Sequence, residues 1–169
     1  ACQPKLRSYL NKDHFEYAGA AGGYIDKYGI PFCKGRIFET LEKDSNQYNT
    51  SAAIFWASGA CFAIRNDVFE QANGFDADFF AHMEEIDLCW RMKHCVYKLY
   101  CIPASKVYHV GGGTLHKSNP KKTYLNFRNN LMMLLKNLPS GSRFSVFVKR
   151  LFLDKLAFII DVKNRKCVV

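Results

Sequence analysis

SGACFAIRNDVFEQANGFDADFFAHMEEIDLCWR, residues 58–91, is the stretch on which the reading of this chain turns. Glu84 to Lys93 predicts a helix, because Met83, Ile86 and Trp90 fall on one apolar stripe and Asp87 stands four residues before Arg91. Upstream, Asn66 is positioned to cap a short helix over Asp67 to Ala72, closed by Asn73-Gly74. The apolar run Ile54 to Ile64 (IFWASGACFAI) predicts a buried strand interrupted at Gly59. Between these elements lie the carboxylates Glu70, Asp76, Asp78, Glu84, Glu85 and Asp87. The amino end of a helix favours negative charge, so Glu84 and Glu85 in a first turn stay ionised. An ionised carboxylate at such a junction can take a proton from an attacking hydroxyl. The same acids can also simply decorate a helix start and pair with Lys or Arg. The residues alone leave both readings open.

Downstream of this stretch, Tyr97 to Ile102 predicts a strand ended by Pro103, and Lys106 to Val110 a second one ended by Gly111-Gly112-Gly113. The three glycines form a candidate phosphate loop or merely a turn. Pro120 opens a long helix to about Leu138, with Phe127, Leu131, Leu134 and Leu138 as its expected buried stripe. Pro139-Ser140-Gly141 ends it, and a second amphipathic helix follows. The first fifty residues, punctuated by Gly19, Gly22, Gly23, Gly29, Pro31 and Gly35, predict loops rather than long regular elements.

The chain has 169 residues and a net charge of +9, from 24 Lys and Arg against 15 Asp and Glu. Beyond Asp87 the only acids are Asp154 and Asp161, so the excess of positive charge lies in the second half. That asymmetry points to an anionic partner: nucleic acid, a phosphorylated substrate or a membrane surface. The seven cysteines include no C-x-x-C pair, which argues against a zinc site or disulfide framework and for a reducing compartment. Charges at Lys149, Arg150, Asp154 and Lys155 interrupt the most apolar tail segment, Arg143 to Ile160, so no transmembrane helix is expected. Its Phe144, Phe147, Leu151 and Phe152 suit a helix lying on a membrane surface, or one packed on further protein.

Residues 58–91 resemble the corresponding segment of the family-two glycosyltransferases of polysaccharide synthesis. Gly59, Ala60, Arg65, Phe69, Gly74, Phe75, Asp76, Phe79, Phe80, Glu84, Asp87, Leu88 and Arg91 stand where that family's pattern places them. The stretches CQPK (2–5), FEYAGAAGGYID (15–26) and YGIPFCKGRIF (28–38) resemble its bacterial lipopolysaccharide and capsule branch, rhamnosyltransferases included, so the likeness runs from Cys2 to about Leu156. It implies an α/β chain: part of a GT-A fold, with a mixed sheet and flanking helices over residues 1–118, then two amphipathic helices in a basic segment, 119–169. The nucleotide-binding half with its aspartate-rich metal motif is expected upstream, because the D-x-D of Asp76-Ala77-Asp78 sits in the later, acceptor-side motif. On this expectation the chain is the acceptor-side part of an enzyme and is inactive alone.

The resemblance places the catalytic acidic pair on Glu84-Glu85, with Glu85 as general base where the family usually has Asp. Asp87 matches a later acid that holds Arg91 and its loop, and Gly59, Ala60 and Arg91 fall in the substrate-binding pattern. The RNN at Arg128, Asn129 and Asn130 recurs in this branch. Arg128 is read as a contact for diphosphate or an acceptor headgroup, since Arg binds phosphate bidentately; a solvated helix face is the alternative. His109 matches a histidine that completes a divalent Mg or Mn site, the alternative being a hydrogen-bonded histidine at a strand end. The implied partners are a nucleotide-sugar donor, a saccharide or lipid-linked acceptor and a membrane surface, with no nucleic acid. The implied location is cytoplasmic, peripheral on the inner face of the membrane, and no metal is expected to bind this chain tightly by itself. A basic nucleic-acid-binding domain is the competing class. It calls for basic residues interleaved with exposed aromatics, whereas the aromatics here fall in apolar runs. A two-carboxylate glycoside hydrolase would need acids set apart, and these are clustered.

Overall fold

The computed structural model describes residues 1–37, 39–111 and 119–166, with the side chains of 158 and of 160 onward outside the description. In chain order the elements are β1 (Cys2–Ser8), β2 (Gly23–Ile25), β3 (Pro31–Cys33), β4 (Arg36–Ile37), β5 (Thr40–Leu41), β6 (Ala52–Ala53), α1 (Asn66–Gln71), a 3-10 turn (Ala77–Phe79), α2 (Glu84–His94), β7 (Tyr100–His109), α3 (Pro120–Asn137) and α4 (Ser140–Lys166). The chain is therefore mixed α/β. β7 is the centre of a mixed three-stranded sheet, parallel to β1 on one side and antiparallel to β6 on the other. β2–β3 and β4–β5 form two small antiparallel ladders. Among the described residues no helix is long and apolar enough to cross a membrane. Gly112 and Gly113 of the glycine run lie outside the described residues, as does the expected boundary at 118/119.

β1 is a strand in the stretch expected to be loop, and its composition explains the difference. Gln3, Pro4, Lys5 and Leu6 are all buried, so the strand carries polar groups where a hydrophobic pattern would have announced it. Each polar side chain has a partner. Gln3 Oε1 accepts from Ser58 N at 2.9 Å while its Nε2 donates to Gly19 O at 3.2 Å. Lys5 Nζ lies 3.0 Å from Asp44 Oδ2, and Arg7 Nε reaches the same oxygen at 2.7 Å. Burial works to raise the Asp44 pKa, but the bonds from Lys5 and Arg7 outweigh it and hold the carboxyl below its ordinary range.

Three further expectations change. Ile54 to Ile64 is not a strand: only Ala52–Ala53 pair with β7, and the run threads the core irregularly. Its amides find scattered acceptors instead of a ladder. Ile54 N donates to Leu99 O, Phe55 N and Trp56 N to Gly23 O, Ala57 N to Cys89 Sγ and Ala63 N to Cys2 O. A continuous apolar run reports burial, which Ile54, Trp56 and Ala57 show, but not pairing. Likewise, Pro103 does not end a strand. β7 runs through it because the register with β1 jumps from Pro4↔Ile102 to Lys5↔Lys106, and this bulge absorbs the residue that cannot donate. At α1, Arg65 rather than Asn66 is the N-cap, without a side-chain bond, and Asn66 Nδ2 reaches Glu70 Oε1 at 2.6 Å.

α2 and α3 form as expected. Asn119 caps α3 by accepting from Lys121 N at 2.9 Å, with Pro120 in the first turn. Its buried stripe is rotated from the expected one, however: Leu125, Asn129, Asn130, Met133, Leu134 and Asn137 face inward, while Phe127, Leu131 and Leu138 are only half-buried. Leu134 packs so tightly on Gly29, at φ +74°, that a Cβ there would sit 2.1 Å from its Cδ2, and Asn130 Nδ2 donates to Gly29 O at 3.2 Å. The core gathers Leu88 and Met92 of α2, Met133 of α3, Leu99, Cys101 and the irregular Ile54 and Trp56.

Removing one member of a buried charge group leaves the others uncompensated, at a cost of about 3–5 kcal/mol. Asp44→Asn should therefore lower the urea-unfolding free energy by about that amount at pH 7. Because the folded Asp44 pKa is depressed, its contribution is complete above the ordinary aspartate range and is lost as pH falls through the folded value. The gap between variant and parent should close on acidification.

Candidate active site

The first turn of α2 opens on a cleft of about 630 Å³. Gly59, Phe62, Phe75, Asp76, Phe80, Glu84 and Glu85 are among its lining residues. The irregular course of the 54–64 run matters here, since it lays Gly59 against Glu85: a Cβ on Gly59 would lie 3.8 Å from the Glu85 side chain. The aromatics are not all spent on the core. Phe75 is 48% exposed and Phe80 68% exposed, so the cleft presents open ring faces beside two carboxylates. Phe75 is held edge-on by Phe69 at 5.5 Å and Phe62 at 6.3 Å.

The Glu85 carboxylate carries the site's strongest perturbation. Burial, reinforced by the neighbouring charge of Glu84, pushes its pKa up to about 7. The backbone N–H groups of Glu85, Gly59 and Ile86 oppose the rise without cancelling it. Glu84 Oε2, Glu85 Oε2 and His82 Nε2 are all buried without a hydrogen-bond partner among the described residues. Two of them, the Glu84 and Glu85 oxygens, belong to cleft residues, and a bound polar group would satisfy them. His82 is held low by burial and by the charge of Lys122, which keeps its imidazole neutral at pH 7.

The backbone that leads into α2 is strained. Phe80 (φ 62°, ψ −61°) sits at the centre of a three-residue turn in which Ala81 N donates to Phe79 O at 2.7 Å. His82 (φ 71°) and Met83 (φ 73°) are left-handed, and Met83 is the N-cap of α2. None is glycine, and each such residue costs about 1–3 kcal/mol.

The structure brings Gly59, Glu84 and Glu85 together and sets the remaining expected residues around or away from them. Ala60 adjoins the cleft with its N–H on Ser58 Oγ at 3.2 Å. Asp87 is fully buried behind the helix, accepting from Arg91 Nε at 2.8 Å and Asn137 Nδ2 at 2.6 Å. Arg91 in turn donates to the carbonyls of Ala72 and Gly74, which fastens the turn after α1. Arg128 spends its Nη2 on Asp78 O and Phe79 O, at 2.9 and 3.0 Å. Asp76 and Asp78 pair with Lys136, whose bond holds Asp76 below its ordinary range. His109 is not among the cleft residues. It ends β7 opposite Ser8, with Nδ1 3.2 Å from Glu16 Oε1 but not aligned for a hydrogen bond. Among the described residues no three His, Cys, Asp or Glu side chains gather as a metal site. His109 and Glu16 offer two ligands at most, so these residues do not by themselves fit a divalent ion.

Sequence reasoning named Asn129 and Asn130 only within the RNN motif and missed Asn137; all three are buried in α3, each tied to a neighbouring segment. Their signal was present: Asn is a poor helix former, and its recurrence at 129, 130 and 137 inside a strong helix asks for a partner.

No protein-family profile matches the chain. Over 79 residues, 47% of its length, it is 28% identical to the N-acetylglucosaminyl-diphospho-decaprenol L-rhamnosyltransferase of Mycobacterium tuberculosis, and the match covers 26% of that protein. Over 85 residues, 50% of its length, it is 32% identical to the rhamnosyltransferase WbbL of Escherichia coli, and the match covers 31% of that protein. The chain is related to glycosyltransferases across about half of its length. The match spans under a third of either relative.

A raised carboxyl pKa destabilises the folded chain once the group must ionise. The penalty is absent below the ordinary glutamate range, grows as pH rises through it and is complete above about 7. Its size is on the order of 3 kcal/mol. Glu85→Gln should thus raise the thermal midpoint at pH 8 and leave it unchanged at pH 4, as scanning calorimetry would show.

Proposed function

We propose that the chain forms the acceptor side of an inverting glycosyltransferase of GT-A architecture, working in cell-surface polysaccharide synthesis, with Glu85 as its general base. The observation that carries this reading is a carboxylate whose pKa of about 7 matches the working pH, at the wall of a cleft with exposed aromatic faces. A general base is most effective when its pKa lies near the operating pH. The relationship to two rhamnosyltransferases supports a sugar-nucleotide donor, and a rhamnosyl donor is the first to try.

An acceptor sugar packs its apolar ring faces on Phe75 and Phe80. Its hydroxyl hydrogen-bonds to Glu85, which takes the proton as the oxygen attacks the anomeric carbon. The new C–O bond forms on the face opposite the departing nucleoside diphosphate, whose bond to carbon breaks in the same event, so the configuration inverts. Glu84 keeps the local field negative and so keeps Glu85 basic. Asp87 and Arg91 position the helix and the turn rather than touch the substrate. A divalent ion would supply charge to the leaving diphosphate. Among the described residues no three His, Cys, Asp or Glu side chains gather to hold one.

Measured on the protein in its full natural length, Glu85→Gln should reduce sugar transfer by about 100- to 10,000-fold while donor binding is retained. The parent's rate should rise with pH through a midpoint of about 7, as the base ionises. A Glu85→Gln protein with near-normal turnover removes Glu85 from this role.

α4 supports a membrane-facing location. Phe144 is 80% and Phe152 64% exposed, with Val148, Leu151 and Leu156 also open and Lys149 and Lys155 exposed beside them. Its inward side carries the Arg150–Asp154 pair at 2.9 Å. An apolar helix face bordered by lysines suits an anionic lipid surface, each basic residue adding roughly 1 kcal/mol. Flotation with anionic vesicles should show salt-sensitive binding that deletion of residues 143–169 abolishes. No flotation, or an insoluble deletion product, rules the membrane surface out.

A further inference from the structure

We propose that Asn129 is the positioning residue for Glu85: its buried carboxamide holds Phe80, His82 and Met83 at positive φ and thereby sets where α2 begins and how its first carboxylates face the cleft. Three carbonyls, of Phe79, Ala81 and His82, converge on Asn129 Nδ2 at 2.9, 2.8 and 2.7 Å. The convergence follows from the strain, because the left-handed residues tip successive carbonyls toward one side instead of alternating them. A point ringed by acceptors needs a group with hydrogens to share and no charge to desolvate, and a primary amide meets both requirements. Asn129 is fully buried, so water does not substitute for it.

Arg128 fixes the amide in turn. Its Nε donates to Asn129 Oδ1 at 2.8 Å, which turns the amide nitrogen toward the carbonyls, and its Nη2 holds Asp78 O and Phe79 O. From the held segment, Met83 O accepts from Asp87 N at 2.9 Å, the bond that opens the helix. Two residues after Met83, Glu85 meets Gly59. The groups facing that carboxylate are Glu84 and the N–H groups of Gly59, Glu85 and Ile86, with Cys89 one turn along α2 and Asp76 on the same cleft. Without the clamp, Phe80, His82 and Met83 relax toward negative φ and the start of α2 turns away from this setting. Calling Glu85 the base rests on the function proposed above. The clamp does not.

The test is a double-mutant cycle on the whole chain, read by urea unfolding and by carboxyl-carbon NMR titration of Glu85. Asn129→Ala should bring the Glu85 midpoint down from about 7 toward the ordinary glutamate range and lower the urea midpoint. Glycine adopts left-handed backbone at little steric cost, so in a His82→Gly, Met83→Gly background the same substitution should cost under about half as much urea resistance. Equal losses in both backgrounds, or an unmoved Glu85 titration in a folded Asn129→Ala protein, would falsify the clamp. If Asn129→Ala does not fold, folding of the combined variant supports it and failure of both overturns it. Sugar transfer enters neither readout, so the glycosyltransferase reading can fail while this result stands.

Discussion

A helix that begins at Glu84 with its first carboxylates turned to a cleft requires the chain to arrive there along a backbone that side-chain-bearing residues avoid. Phe80, His82 and Met83 accept that backbone, and the rest of the molecule is arranged to keep them in it. α3 crosses behind the turn and supplies Arg128 and Asn129. The same helix reaches α2 through Asn137 on Asp87 and the opening loops through Asn130 on Gly29. Arg91, held by Asp87, fastens the turn after α1 that leads into the cleft. The segments around the candidate site are thus tied to one another by polar bonds, most of them to main-chain carbonyls. Such bonds specify direction as well as proximity.

Two buried carboxylates show how one physical cause gives opposite results. Asp44 is buried, and Glu85, half-buried as a residue, has its Oε2 shut from water. Asp44 has Lys5 and Arg7 against it and stays strongly acidic, whereas Glu85 has another acid beside it and is pushed toward neutrality. The first arrangement stabilises the fold. The second works against it and is the kind of arrangement that catalytic carboxylates need.

What was legible in the sequence was whatever depended on local pattern. α2 and α3 follow from apolar spacing, Asn119-Pro120 and the Asp87–Arg91 pair. The meeting of Gly59 with Glu84 and Glu85 was legible from the motif as a whole, not from any single residue. What stayed hidden depended on partners far along the chain. β1 could not be read because Gln3, Pro4 and Lys5 look like loop until Ser58, Gly19 and Asp44 are seen around them. The strand through Pro103 required a bulge, and the run at 54–64 required knowing that its amides go to scattered acceptors, Leu99, Gly23, Cys89 and Cys2 among them. His109 was placed by analogy with a metal site, and that it ends β7 outside the residues lining the cleft is a matter of tertiary position that no spacing reveals.

The polar make-up of β1 also bears on how the chain folds. Cys2 pairs with Tyr100, so the strand must wait for a partner synthesised roughly a hundred residues later, and such remote parallel pairing is slow. An ordinary apolar strand left waiting would be a site for misassociation. This one spends the interval with Gln3, Lys5 and Arg7 comfortably hydrated, and becomes a buried strand only once Asp44 and β7 are in place. The same three side chains that favour water before folding find polar partners after it.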